Sequence, residues 1–309
     1  MTTINQSSVD EFTLQSFSEN HQVQILIFSL FLGIFIVAFT GNSTIIIVII
    51  LNPDLHTPMY FFLINLALLD ILSSSTVVPK LLQNLMTKNT ISYGGCIAQM
   101  YFLTWCLGAE LLLFTTMAYD RYAAICQPLH YNTLMNKEAC CLLAAVVWTF
   151  SGTSTMINMI MTVHLSFCGP NVIDHFFCEI PSLLPLSCSS TYVNNIMVVV
   201  AAIFFAAINF LLILVSYGFI ISSILKIRTK EGKKRAFSTC SSHLIVVTMY
   251  YCTIIYIYFL PGFSQSLNEG KVASVFYAIV SPALNPMIYS LRNKDVKIAL
   301  EKLCSFLFK

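Results

Sequence analysis

Apolar residues gather in seven runs along this chain, at roughly 25–51, 58–80, 97–120, 140–163, 196–225, 237–261 and 271–291, with polar connections between them. Each run reaches the ~20 residues that a helix needs to cross the hydrocarbon core of a bilayer. The runs are continuous and do not alternate over ten-residue strides, so they predict helices and not the strands of a membrane barrel. The first run carries no charge, and no Asp, Glu, Lys or Arg occurs between Ile180 and Leu225. The pattern predicts an all-α membrane protein: a seven-transmembrane helix bundle over 25–291, after a tail of residues 1–24. One connection, residues 164–195, is long, and Pro170, Pro181 and Pro185 exclude a single helix there. Long connections in compact proteins usually have a role, and this one reads as a lid over one mouth of the bundle. The last segment, 292–309, sets Val296, Ala299, Leu300, Leu303 and Leu307 on one face with lysines elsewhere. That is the pattern of a short amphipathic helix lying on the membrane surface.

Composition agrees: 57% hydrophobic residues, 10% charged ones and a mean hydropathy of +0.78 lie outside the range of soluble domains. Of the 16 Lys and Arg residues, 13 fall after the third run, in the fifth connection (Lys226 to Arg235) or in the final segment, on one face of the bundle. Lys80, Lys88 and Lys271 are left for the other. The positive-inside rule then predicts a cytoplasmic carboxyl terminus, hence a cytoplasmic amphipathic helix, and an extracellular amino terminus with the lid outside. The first 22 residues lack a basic stretch followed by an apolar one, so no cleaved signal peptide is expected and the first helix serves as its own signal. The net charge of +2 carries no implication of nucleic acid. Asn5-Gln6-Ser7 is a glycosylation sequon in the outer tail, whereas Asn42-Ser43-Thr44 lies inside the first helix, out of reach of the modifying enzyme.

Four of the 11 cysteines, Cys96, Cys168, Cys178 and Cys188, fall in connections assigned outside. An even number in an oxidising compartment predicts disulfides, with three pairings open. A metal site built from Cys168, His175, Cys178 and Cys188 is the competing reading, disfavoured where thiols oxidise. Cys304, beside the membrane on the final amphipathic segment, is a candidate for palmitoylation.

Charges at membrane depth cost several kcal/mol and therefore have partners or functions. Asp120-Arg121 closes the third run, and Asp70 and Glu110 sit in the middle of the second and third. Two such carboxylates can hold a cation, share a proton, or belong to an ion path, the structural alternative being a protonated, hydrogen-bonded pair. Asn42, Ser281 and Asn285 are oxygen-bearing neighbours suited to a hard cation. Pro286 should kink the seventh helix and free a carbonyl. An ion- or proton-coupled transporter using Asp70 and Glu110 is the alternative function, though the chain shows none of the internal repeats common in such proteins. No enzyme is expected. A membrane aspartyl protease needs two apposed aspartates, and Asp70 is the only one deep in the membrane; residues 272–291 also hold no lysine for a retinal Schiff base.

Five segments stand in order on the expected helices: Leu55-His-Thr-Pro-Met-Tyr-Phe-Phe-Leu63, Met117-Ala-Tyr-Asp-Arg-Tyr-Ala-Ala-Ile-Cys126, Ser216-Tyr217, Lys234-Arg-Ala-Phe-Ser-Thr-Cys-Ser-Ser-His243 and Pro282-Ala-Leu-Asn-Pro-Met-Ile-Tyr-Ser-Leu-Arg-Asn293. With them the chain resembles the odorant receptors of the tetrapod-type (class II) group, rhodopsin-like G-protein-coupled receptors, from Gly41-Asn42 to Asn293. It departs from the usual pattern at Ala123 (Val), Ala283 (Met) and Asn209, where many members carry Pro.

The resemblance implies disulfides Cys96–Cys178 and Cys168–Cys188. It implies a sodium-like pocket of Asp70, Glu110, Ser281 and Asn285, a sodium ion being the only cofactor suggested. Arg121, between Asp120 and Tyr122, would pair with Asp120 at rest and swing toward a heterotrimeric stimulatory olfactory-type G protein on activation. Tyr217, His243, Tyr289 and the Asn285-Pro286 kink belong to the same switch, and the basic run Lys226 to Arg235 flanks the cytoplasmic opening. The output is cyclic AMP, and the location is the plasma membrane.

On the third helix Leu103, Thr104, Leu107, Gly108 and Leu111 share one face. By the family analogy that face points inward, opposite Ala201, Ala202 and Phe205, then Tyr251, Ile254, Ile255 and Tyr258, then Val275 and Ala278. This set holds no formal charge, so a small neutral volatile odorant is expected, with Thr104, Tyr251 or Tyr258 as its hydrogen-bonding partner.

Overall fold

The computed structural model describes residues 9–18, 20–168, 171–259, 274–292 and 294–307. The long helices are α1 (His21–Leu51), α2 (Pro58–Met86), α3 (Tyr93–Cys126), α4 (Lys137–Val163), α5 (Tyr192–Lys226) and α6 (Lys230–Phe259). They are followed by α7 (residues 274–292) and α8 (Lys294–Leu307). Helices α1 to α5 are each long and apolar enough to cross a membrane, and α6 contributes the apolar stretch Cys240–Ile255.

Most of these helices are longer than the apolar runs, because caps set a helix end while lipid depth sets an apolar run. The side chains of Asn20, Ser92 and Asn136 accept from the backbone N–H groups of Gln22, Gly95 and Ala139, so α1, α3 and α4 begin at caps that lie before the apolar stretch. Pro58 occupies the first turn of α2, where its missing N–H costs nothing.

The surface and interior are inverted relative to a soluble protein. Leu26 (69% exposed), Leu211 and Ile36 face outward, while Asn42, Asp70, Glu110, Asp120, Asn209, His243 and Asn285 are buried. Without a hydrophobic drive between helices in lipid, polar ties fix their packing. Trp148 Nε1 donates to Asn65 Oδ1 (2.9 Å) and Trp105 Nε1 to the Trp148 carbonyl (3.0 Å), joining α2, α3 and α4. Pro286 removes the N–H that would bond the Pro282 carbonyl, and Asn42 Nδ2 supplies the missing donor at 2.9 Å. Gly41 makes room for the same proline, since a Cβ there would lie 3.0 Å from Pro286 Cγ.

The tail before α1 is more than a tail. Glu11–Leu14 forms β1, the central strand of a sheet ordered β2-β1-β3, with β2 (Thr90–Ser92) antiparallel and β3 (Val172–Ile173) parallel to it. Strand β1 alternates exposed and buried, and Phe12 and Leu14 pack with Ile91, Met100, Phe167 and Ile173. One end of the bundle is therefore closed by three chain segments at once. Cys96 is bonded to Cys178, with Cα atoms 5.4 Å apart, and Cys168 to Cys188, at 6.0 Å. All four lid-end sulfurs are thus in disulfides, which removes the thiolates that a metal reading of Cys168, Cys178 and Cys188 requires. At the other end, α8 buries Val296 and Ala299 and exposes Lys297, Ile298, Glu301 and Lys302. Asn5 lies outside the described residues, as do the side chains of Leu303, Cys304 and Leu307.

Candidate functional site

Beneath the lid lies a cavity of about 120 Å³. Helix α3 lines one wall with Leu103, Thr104, Leu107, Gly108 and Leu111, and α5 another with Val198, Ala201, Ala202, Phe205 and Ala206. Ile254 of α6 and Tyr277 of α7 also border it. Two π-helical turns, Ala202–Ile208 and Phe276–Val280, stand at the cavity. Such turns insert a residue into the helical ladder and occur frequently at functional sites. The first is stabilised by Asn209, whose Nδ2 donates to the Phe204 carbonyl (3.0 Å) while its Oδ1 accepts from Thr115 Oγ1 (2.7 Å).

The lining departs from expectation in two ways. Tyr251, Ile255, Val275 and Ala278 do not border the cavity among the described residues. Tyr251 packs its ring against Phe210 at 4.8 Å, and Ile255 is 39% exposed on the outer surface of α6. At α7 the π turn presents Tyr277 while Ala278 packs into a neighbouring apolar cluster that includes Val77, Val78 and Leu81. The side chain of Tyr258 lies outside the described residues.

Conversely, Ser154, Thr155 and Asn158 of α4 and Glu179, Ile180 and Pro181 of the lid line the cavity without having been anticipated. The α4 trio was legible as a polar i, i+1, i+4 row in an apolar helix. Glu179 had only the signal of adjoining Cys178. It corrects the expectation of a lining free of formal charge. Its Oε2 accepts from the Tyr277 hydroxyl at 3.2 Å, and its Oε1 lies 3.5 Å from His175 Nε2.

Deeper in the bundle Asp70 and Glu110 approach one another, both almost fully buried. Asn285 Nδ2 donates to both oxygens of Asp70, at 3.0 and 3.1 Å, and the Tyr250 hydroxyl hydrogen-bonds to Glu110. Asn42 spends its amide on the Ala38 and Pro282 carbonyls and so belongs to the helix packing, not to this pair. Two buried carboxylates with one neutral donor each remain short of positive charge. Ser281 of α7 is buried as well.

At the far end Asp120 and Arg121 form an ion pair through both Nε (2.9 Å) and Nη2 of the arginine. The other oxygen of Asp120 accepts from the Tyr131 hydroxyl at 2.8 Å, in the connection between α3 and α4. Tyr131 was not anticipated. Burial, and then the adjacent Asp120 charge, push its hydroxyl well above the ordinary tyrosine value, which keeps it a donor. Tyr217 of α5 is 2.7 Å from His243 Nδ1 of α6. Tyr289 of α7 is buried nearby, its hydroxyl without a hydrogen-bond partner among the described residues. Tyr122 stacks on Tyr119 and meets Phe219 of α5. Three helices thus converge on Arg121 through groups that can exchange partners.

A family model described as olfactory receptor matches residues 31–306. Human olfactory receptor 13A1 is 54% identical over 303 residues, which cover 98% of this chain and 92% of that protein. Human olfactory receptor 13G1 is 50% identical over 305 residues, covering 98% and 99% respectively. Mouse olfactory receptor 5AR1 is 46% identical over 300 residues, covering 97% of each. The chain belongs to the olfactory receptor family, and is therefore a multi-pass G-protein-coupled receptor with a seven-helix bundle, neither an enzyme nor a transporter.

Proposed function

We propose that this receptor stands in the plasma membrane with its amino terminus outside and α8 on the cytoplasmic leaflet. A small, neutral, largely apolar odorant held in the cavity activates a heterotrimeric stimulatory olfactory-type G protein and raises cyclic AMP. The observation that carries the reading is the pairing of a cavity beneath the lid with the Asp120–Arg121 pair at the opposite end of the same helix, α3.

A ligand shifts a two-state equilibrium only by its differential affinity for the two states. The odorant must therefore favour the arrangement in which the cytoplasmic end of α6 moves outward. Arg121 then leaves Asp120 and meets an inserting helix of the G protein, a helix-in-groove contact. Tyr217 and Tyr289 take up the vacated positions. Asp70, Glu110 and Ser281 would hold a sodium ion or a shared proton in the resting form, which offsets the repulsion between the two carboxylates. When bound, the ion supplies one positive charge and nothing else.

The test is a cyclic AMP reporter in cells displaying the receptor, screened against a broad volatile panel. Arg121→Ala should abolish the agonist response at normal surface display. An undiminished response would remove Arg121 from the output.

A further inference from the structure

The cavity is mostly apolar, and among the described residues a single charged side chain lines it: Glu179, at the lid edge. Its position is rigid. The preceding residue, Cys178, is bonded to Cys96 at the start of α3, and its N–H donates to Gln99 Oε1 at 2.8 Å. On the other side Ser182 Oγ (2.9 Å) and the Leu183 N–H (3.2 Å) both donate to the Glu179 carbonyl.

The carboxylate has two neighbours of its own. Tyr277 donates to Oε2, and His175 Nε2 faces Oε1. His175 Nδ1 accepts from the Phe177 N–H at 3.4 Å, which places the proton of the neutral ring on Nε2, toward Glu179. A carboxylate offers about four lone-pair sites, so two partners leave room for another donor. Its side chain is 17% accessible.

We infer that Glu179 is the specificity-determining residue of the cavity, selecting small molecules that present a hydroxyl donor to the lid, alcohols and phenols, and rejecting carboxylic acids. A hydroxyl completes the coordination of an acceptor that is already fixed. A carboxylate ligand would meet a like charge among largely apolar walls, where repulsion is screened less than in bulk water. Ketones, esters and ethers bring only acceptors to a group that accepts. The inference rests on the odorant-receptor reading above and deepens it.

The probes are matched sets of alcohols, phenols, ketones, esters and carboxylic acids on the same carbon skeletons, read by cyclic AMP in cells displaying the receptor. Alcohols or phenols should be the most potent members, with the corresponding acids weaker by at least ~10-fold, as loss of a hydrogen bond to a charged group implies. Glu179→Gln keeps the side-chain shape and adds an amide donor. It should weaken the hydroxyl agonist several-fold and raise the response to the matched ketone or acid, at equal surface display. A purely structural role for Glu179 would depress all ligands together. Acids or ketones matching the alcohols, or a Glu179→Gln receptor with an unchanged rank order, would overturn the inference and leave the receptor reading standing. Silence toward every probe in displayed receptor would overturn both.

Discussion

Asp120 is held from two sides, by Arg121 along α3 and by Tyr131 from the next connection. A carboxylate with both oxygens engaged is a better anchor for a resting arginine than one held by the arginine alone. Tyr131→Phe removes one holder without disturbing the ring. Ligand-free cyclic AMP should rise roughly threefold to tenfold, the effect of losing about 1 kcal/mol of resting-state bias. Unchanged basal signalling at matched surface display would show that Tyr131 is only packing. Gly108 makes the converse point inside the cavity. A Cβ there would lie 3.3 Å from Phe205 Cε1 and 3.5 Å from Ser151 Cβ, so Gly108→Ala fills space without adding chemistry. Bulky agonists should lose potency several-fold in a dose–response series while the smallest members keep theirs, since a methyl group is worth about 1 kcal/mol of occupied space. Asp120-Arg121 was visible in the sequence because an arginine at membrane depth is costly. Tyr131 was not, because one tyrosine in a polar connection carries no such signal.

Helix α5 shows how a polar residue shapes an element. Asn209 bonds the Phe204 carbonyl, five residues back, and receives Thr115 of α3, so it caps the π turn and fixes the turn against α3. Asn209→Leu should lower the thermal midpoint of the detergent-solubilised receptor, with a cost of about 1–3 kcal/mol from the unmet groups it leaves. Combined with Thr115→Val, the loss should be clearly less than additive, as residues sharing one hydrogen bond require. Strict additivity would separate the two. The sequence marked Asn209 as a departure from the family but not its consequence, because Ala202–Ile208 is a uniformly apolar stretch whose periodicity fits an ordinary helix. Pro286 was the opposite case: missing its N–H, it had to free a carbonyl, and only the identity of the donor, Asn42, waited for the fold.

At the scale of the whole molecule, the lid end is a small domain assembled from three distant segments. Phe12 is fully buried between Tyr93 and Phe167, one partner at the start of α3 and one in the lid. Phe12→Ala should cost about 3–5 kcal/mol of local packing, read as a lower displayed fraction and earlier heat inactivation, with both disulfides still formed. Retained heat stability would mean that the disulfides alone hold the lid. The chain by itself determined the helical bundle, because transfer of apolar residues into lipid and of charges out of it is large and local in sequence. The motifs on those helices determined the family. What only the tertiary structure decided are the contacts between segments far apart in sequence: strand β1 in the sheet, the phase of each π turn, and Glu179 in a cavity expected to be uncharged. These turn on packing and single hydrogen bonds between partners too distant along the chain to leave a periodic trace.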